Sequence, residues 1–520
     1  MKSSTKSTAW ITLLPAELLQ IIFRFLYDDF IPTTAAFESG VSTPDINLSE
    51  SDGRNYELEV AKFLQAQNRH LASSISPSLF PYNIAAVCET WKNVLSSSPA
   101  FWTRLVLFVD FPSTSVEDAR RYIEWSRQLP IDVFILRRLD YPEEDTADNS
   151  QSEKEKVQAF IKILQPHIGR CRSLHIDVTV DSSLPPLSEI APMDARSLRS
   201  LYLNCDFDSI PSSEDLNIPT EINPTLWSSP RLHTMALNAH SFLQACTRPP
   251  LWFIRQPQLR HLDVSGGAST HLRLSLQTTL DTITTDLNFV LFSLDFSNIN
   301  FNLDTNLMEA NQYTLHLVNQ FSLSSIPSAT VSELFRVCSF PRLQLLRIQD
   351  CAGLNREIFN NLEESPLRYL ILSHPAPATD FQISDFLSGW SGTDLTFSVS
   401  NVPYSQFVDA LAAPEEVTLS TVSLSILCPH VNDLTFFVCP LPSFTSIKKL
   451  IERRNHNVDY DDYNWWANNS FIGPAITSLG IERCWSTPEA PTWTQDERRW
   501  MRSKVPKFTL VEIRDRPLLA

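Results

Sequence analysis

Thr330–Ile348 reads TVSELFRVCSFPRLQLLRI, and its pattern changes half-way along. Thr330-x-x-Glu333 has the spacing of a capping box, in which a hydroxyl and a carboxyl satisfy free N–H groups at a helix start. Leu334, Phe335 and Val337 supply an apolar helix face. Phe340-Pro341 ends that helix, because proline pushes the residue before it into extended backbone. Leu343-x-x-Leu346-x-Ile348 then alternates as a half-buried strand does. The stretch predicts one helix followed by one strand.

The strand half recurs in both directions. Towards the amino end the copies are Leu291-x-x-Leu294-x-Phe296, Leu259-x-x-Leu262-x-Val264, Leu232-x-x-Met235-x-Leu237, Leu198-x-x-Leu201-x-Leu203 and a weaker Cys171-x-x-Leu174-x-Ile176. Towards the carboxyl end they are Leu367-x-x-Leu370-x-Leu372, Val431-x-x-Leu434-x-Phe436 and Ile476-x-x-Leu479-x-Ile481. One such hit means little in a leucine-rich chain. Nine together, several with a fixed companion, predict a repeated unit. Pro230, Pro257, Pro341 and Pro366 precede strands, and Cys351, Cys439 and Cys484 stand three residues after a last strand apolar. A small side chain there can turn inward and cap backbone groups at a bend.

This pattern resembles the leucine-rich repeat, whose period is ~20–29 residues. The resemblance implies an α/β fold: an irregular solenoid with a parallel sheet on one face and helices on the other. Intervening strand residues would then point outward: Tyr202, Ala236, Asp263, Asp295, Arg347, Ile371, Thr435 and Gly480. They are mixed in character and form no single-sign patch.

Upstream, helix and strand already alternate. VLFVD at Val106–Asp110 and IDVFIL at Ile131–Leu136 read as strands, and Ser115–Leu129 and Val157–Ile168 as helices. Asp140–Lys156 is acidic and polar and reads as an exposed loop.

The amino-terminal region carries a second pattern. Ile11–Phe30 reads ITLLPAELLQIIFRFLYDDF, and Pro81–Leu105 reads PYNIAAVCETWKNVLSSSPAFWTRL. Pro15 suits a first helical turn, where its missing N–H costs nothing. Leu18, Leu19, Ile22, Phe23, Phe25 and Leu26 follow at helical spacing, over a sector too wide for one face to bury. Ile84, Val87, Cys88, Trp91, Val94 and Leu95 make another helical stripe, ended by Ser98-Pro99. A unit of roughly 45 residues cannot hide so much apolar surface alone, so part of it should face a partner.

Leu14-Pro15-x-Glu17-Leu18-Leu19, Ile22, Phe23 and Leu26, then Val87-Cys88-x-x-Trp91, Leu95 and Pro99-x-Phe101-Trp102-x-x-Leu105, resemble an F-box in order and residue type. With the repeats, the chain is similar to fungal-type F-box proteins. The resemblance implies a three-helix module that binds a Skp-type adaptor, and through it a cullin. Its adaptor-binding residues would be Leu14, Pro15, Leu18, Leu19, Ile22, Leu26, Val87, Cys88, Trp91, Leu95, Phe101 and Trp102. The sequence departs from the family in an insertion at 31–80, whose first half is rich in turn formers and acids and whose second half has a helical stripe.

Composition narrows the function further. A net charge of −17 argues against a general nucleic-acid binder, which needs excess Lys and Arg. No apolar run reaches membrane-spanning length, and the amino end, interrupted by Pro15 and Glu17, is no secretory signal. Nine scattered cysteines without a C-x-x-C pair favour a reducing compartment, cytoplasmic or nuclear. Ten glycines against 35 prolines disfavour glycine-rich phosphate loops. The nearest approach to a nucleophile elbow, Gly389-Trp390-Ser391-Gly392-Thr393, lacks the second glycine at the required position and reads as a turn. No histidine pair has zinc-site spacing. Asp459–Asp462 with Trp465 and Trp466 reads as a solvated loop, and the basic run Arg498–Lys504 as a charged helix face.

The expected organisation is a helical module at 1–105 with its insertion, an α/β capping region at 106–165, the repeats at 166–493 and a carboxyl-terminal cap at 494–520. The expected role is non-catalytic, with no cofactor and no metal: a monomer before assembly that joins a Skp-type adaptor to a protein client for ubiquitin transfer. The competing reading is a non-ligase scaffold in which the helical module only caps the solenoid.

Overall fold

Every strand of the main sheets runs parallel to its neighbours, and the alternation read from the sequence sets the register. The computed structural model describes residues 14–30, 81–110, 113–137, 147–190, 195–207, 229–247, 256–267, 273–303, 312–351, 354, 356–360, 362, 365–373, 386–387, 389–398, 408, 411–412, 428, 430–437, 439–455, 475–485 and 492–513. The insertion at 31–80 and the acidic-aromatic stretch at 459–466 lie outside them. Contacts divide the chain into two units, Met1–Leu259 and Arg260–Ala520. Each is α/β.

The first unit opens with α1 (Ala16–Phe30), α2 (Tyr82–Ala85), α3 (Glu89–Ser96) and a 3-10 turn at Pro99–Trp102. Then come β1 (Arg104–Phe108), α4 (Val116–Trp125), β2 (Ile131–Leu136), α5 (Ala147–Leu164), β3 (Cys171–Val180), β4 (Ser200–Phe207) and β5 (Thr234–Asn238). The strands pair in chain order. Leu105, Val133, Leu174, Leu201 and Met235 stand side by side, as do Leu107, Ile135, Ile176, Leu203 and Leu237. All ten are buried. Successive strand residues point to opposite faces, so these two rows build the core. The row between them begins with buried Val106 and Phe134 and continues with half-buried His175, stacked on Tyr202 at 5.0 Å.

The second unit carries β6 (His261–Ser265), β7 (Ser293–Ser297), β8 (Gln320–Ser324), β9 (Leu345–Gln349), β10 (Tyr369–Ser373), β11 (Asp394–Ser398), β12 (Asp433–Phe437), β13 (Ser478–Trp485) and β14 (Lys507–Ile513). Its helices include α6 (Ser328–Val337), α7 (Phe444–Asn455) and α8 (Gln495–Lys504). These strands also pair in chain order. Leu294, Phe321, Leu346, Leu370, Leu395, Leu434 and Leu479 form one buried row.

The turn after each strand repeats too. Asn298, Ser325 and Asp350 directly follow β7, β8 and β9, and each has φ near +50°. Small polar residues tolerate this left-handed backbone best after glycine. Each also donates its N–H to the next strand's last carbonyl, at 2.7, 2.8 and 3.1 Å. At the matching position after β6 stands Gly266, where a Cβ would lie 2.1 Å from the Asn298 carbonyl oxygen. Cys351 and Cys484 turn inward as expected: their thiols donate to the Leu323 and Phe436 carbonyls at 3.7 and 3.6 Å, and Cys439 Sγ lies 3.5 Å from Cys484 Sγ. All nine cysteines are free.

Several expectations are corrected. Thr330 and Glu333 form no capping box, because α6 starts two residues earlier, behind Pro327. Glu333 instead holds Arg336 through two hydrogen bonds of 2.7 and 2.5 Å. A true capping box occurs at Thr494 and Glu497, ahead of α8. The stretch read as an exposed loop to Lys156 is helical from Ala147. Its polar character hid a buried anchor: Glu153 accepts from the Thr179 N–H at 2.8 Å and from the Thr179 hydroxyl at 3.1 Å. The first strand is Arg104–Phe108 rather than 106–110.

Strands β8 and β11 depart from the pattern: β8 has Phe321 where the other copies carry leucine or methionine, and β11 is led by Gly392. The segment read as a carboxyl-terminal cap adds β14 in register, Phe508 beside Leu479 and Leu510 beside Ile481. Likewise β1 and β2, from the stretch read as a capping region, join β3 as sheet partners. The Gly389–Thr393 segment precedes β11 as a turn whose Trp390 is buried. Among the described residues no helix is long and apolar enough to cross a membrane.

Candidate partner-binding surface

The apolar residues of α1 divide into two faces. Leu19 and Phe23 are buried, with Leu26 and Tyr27 half-buried beside them. They meet Trp91, Val94 and Leu95 of α3 and Phe101 and Trp102 of the 3-10 turn in one cluster. Phe23 meets Trp91 edge-on at 5.4 Å, and Tyr27 meets Phe101 at 5.4 Å. Such pairs add to the area they bury. The Pro15 carbonyl accepts from the Leu18 and Leu19 N–H groups, both at 3.1 Å, and starts the helix. Leu14 packs against the same cluster.

The opposite face of α1 is bare. Leu18, Ile21, Ile22 and Phe25 fall at i, i+3, i+4 and i+7, the spacing of a single helical stripe. They are exposed by 47, 52, 37 and 70%. Val87, in the turn ahead of α3, is exposed by 57%. Pro15 is exposed, and Cys88 is half-buried at the N-cap of α3. So of the twelve residues expected to meet an adaptor, Leu18, Ile22, Val87 and Pro15 lie on the surface. Leu19, Trp91, Leu95, Phe101 and Trp102 form the core beneath, and Leu14, Leu26 and Cys88 stand between. Ile21 and Phe25 were not among the twelve, yet Phe25 is the most exposed of the stripe. Their i, i+3, i+4, i+7 spacing was the signal that could have found them.

The helical module is tied to the strands through aromatic groups. Trp102 stacks on Tyr122 of α4 at 5.1 Å, packs on Trp125 at 4.5 Å, and donates its indole N–H to the Leu95 carbonyl at 2.9 Å. The Tyr82 hydroxyl accepts from the Val106 N–H and donates to the Arg104 carbonyl, both at 3.0 Å. Burial pushes this phenol far above its ordinary value, so it stays protonated. On the same strand the Phe108 N–H donates to the Thr114 hydroxyl at 2.9 Å. Side chains thus satisfy backbone groups of β1 that would otherwise invite another strand.

The described residues hold no group of three or more His, Cys, Asp or Glu placed to bind a metal. Burial pushes the thiols of Cys171, Cys338 and Cys428 up, the last to about 12, which leaves them protonated and poor nucleophiles. In the basic helix α8, Arg498 pairs with Glu512 and Arg499 with Asp496, both at 2.9 Å. A search of protein-family models and of curated proteins finds no match to this sequence.

Proposed function

We propose that this chain is the substrate-recognition subunit of an SCF-type ubiquitin ligase. In this reading the α1–α3 module is an F-box that binds a Skp-type adaptor, and through it a cullin. The strands that follow form a leucine-rich-repeat-like domain that holds a protein client, and other subunits transfer ubiquitin. The observation that carries the proposal is the bare stripe Leu18, Ile21, Ile22 and Phe25 on a helix whose other face already closes its own core. Covering one such side chain is worth ~1.5–3 kcal/mol, which gives a partner a strong reason to bind there. The free thiols and the net charge of −17 fit a cytoplasmic or nuclear protein that works through other proteins.

The test is capture of a purified Skp-type adaptor on the immobilised full chain. Leu18→Glu with Ile22→Glu, both on the exposed stripe, should reduce capture to background while the melting temperature stays unchanged. Equal capture by the intact chain and the variant would refute the assignment of this surface. One observation favours a second reading, a scaffold whose helical module serves only as a cap: Tyr82 and Trp102 bind the module to β1 and α4. No adaptor capture by the intact chain would select it.

A further inference from the structure

On the sheet face of the second unit opposite the buried row that runs from Leu294 to Leu479, Asp263 stands beside Asp295, Asp295 beside Ser322, and Ser322 beside Arg347. All four are half-buried. Asp295 is provided for within the chain: its Oδ2 accepts from the Ser293 hydroxyl at 3.2 Å, and Ser322 also hydrogen-bonds to it. The outer two of these four are not. Asp263 Oδ1 is buried with no hydrogen-bond partner, and so is Arg347 Nε. The remaining side-chain bond of Arg347 is a long one, 3.3 Å from Nη2 to Gln349 Oε1. A buried donor or acceptor left unmade costs free energy, and buried charges are ordinarily paired. Arg347 is drawn electrostatically to Asp295, yet its Nε and the Asp263 Oδ1 are both left without a hydrogen bond, on a row that solvent still reaches.

We propose that this row is a peptide-binding site for an extended segment that places a basic side chain on Asp263 and an acidic side chain on Arg347. The proposal rests on the client-receptor reading above and adds the chemistry of the client. Three strand spacings of ~4.8 Å separate the two ends by ~14 Å. An extended segment rises ~3.4 Å per residue, so its two charges lie about four residues apart. The Asp263 carboxyl is pushed up to about 7, first by burial and then by Asp295. A guanidinium or ammonium group seated against it reverses that penalty. Ser322, between Asp295 and Arg347, carries only a small side chain, which hydrogen-bonds to Asp295.

The experiment uses the full chain and a fluorescein-labelled peptide, Asp-Gly-Ser-Gly-Arg-Gly-Ser-Gly-Asp, whose symmetry allows either chain direction. Fluorescence polarisation should show saturable binding. Citrulline in place of the arginine, or asparagine in place of both aspartates, should weaken it by about tenfold or more. Asp263→Asn should abolish the preference for arginine over citrulline, and Arg347→Gln the preference for aspartate over asparagine. Absence of saturable binding overturns the proposal, as does equal binding of all three peptides by the intact chain, a readout that needs no variant. Peptide preferences indifferent to both substitutions overturn it as well. Adaptor capture is measured separately, so a chain that captures adaptor but ignores the peptide sinks this site alone.

Discussion

Phe23 and Phe25 sit two residues apart on α1 and should respond to alanine in opposite ways. Phe23 is 1% exposed and touches Trp91, whereas Phe25 is 70% exposed. Phe23→Ala deletes a buried ring and leaves a cavity, at a cost of ~3–5 kcal/mol to the helical module. Phe25→Ala deletes a ring that solvent already surrounds and should change stability by less than about 0.5 kcal/mol. Its effect should appear on binding instead. A phenylalanine presents roughly 200 Å² of surface, so the exposed share is ~140 Å². At ~25 cal/mol per Å², covering it contributes at most ~3.5 kcal/mol. Incomplete cover reduces this to ~2 kcal/mol, about a thirtyfold loss of adaptor affinity. Denaturant unfolding followed by tryptophan fluorescence reads the first quantity, and biolayer interferometry on purified Skp-type adaptor reads the second. Equal destabilisation by the two substitutions would mean that the outer face is covered by the chain itself. Unchanged affinity in Phe25→Ala would mean that the adaptor, if bound, binds elsewhere.

Three further outcomes are expected. Tyr82→Phe leaves the Val106 N–H without its 3.0 Å acceptor and should lower urea-unfolding stability by ~1–3 kcal/mol; a change within error would show that β1 is sealed by other groups. Gly266→Ala forces a Cβ onto the Asn298 carbonyl, and thermal melts should reveal a cost of ~1–3 kcal/mol, with no change refuting the close approach. Asp263 has its folded pKa raised to about 7 from an ordinary value near 4, so its contribution to stability is full below pH 4 and lost as pH rises through 7. Asp263→Asn should therefore gain on the intact chain between pH 4 and 8, by at most ~4 kcal/mol. Unfolding curves at the two pH values measure the difference, and parallel behaviour of the two proteins would contradict the burial of this carboxyl.

The sequence by itself determined the strand positions in nine of the copies and the rows of leucine that line the cores, because a two-residue alternation is a local property. Phe321 in β8 and Gly392 before β11 broke that pattern, and only pairing with neighbouring strands recovers those elements. The buried role of Glu153 was hidden for the same reason: its partner, Thr179, lies 26 residues away. At the amino end the helices were legible and the division of α1 was not. Leucine, isoleucine and phenylalanine suit a core and a docking face equally, so Leu18 and Leu19 look alike until Trp91 and Phe101 choose a side. The repeat pattern already set Asp263, Asp295 and Arg347 on one outward row; only the tertiary structure placed Ser322 between Asp295 and Arg347, because the pattern passed over β8. Periodicity tells a residue which way to face; only packing tells it what it faces.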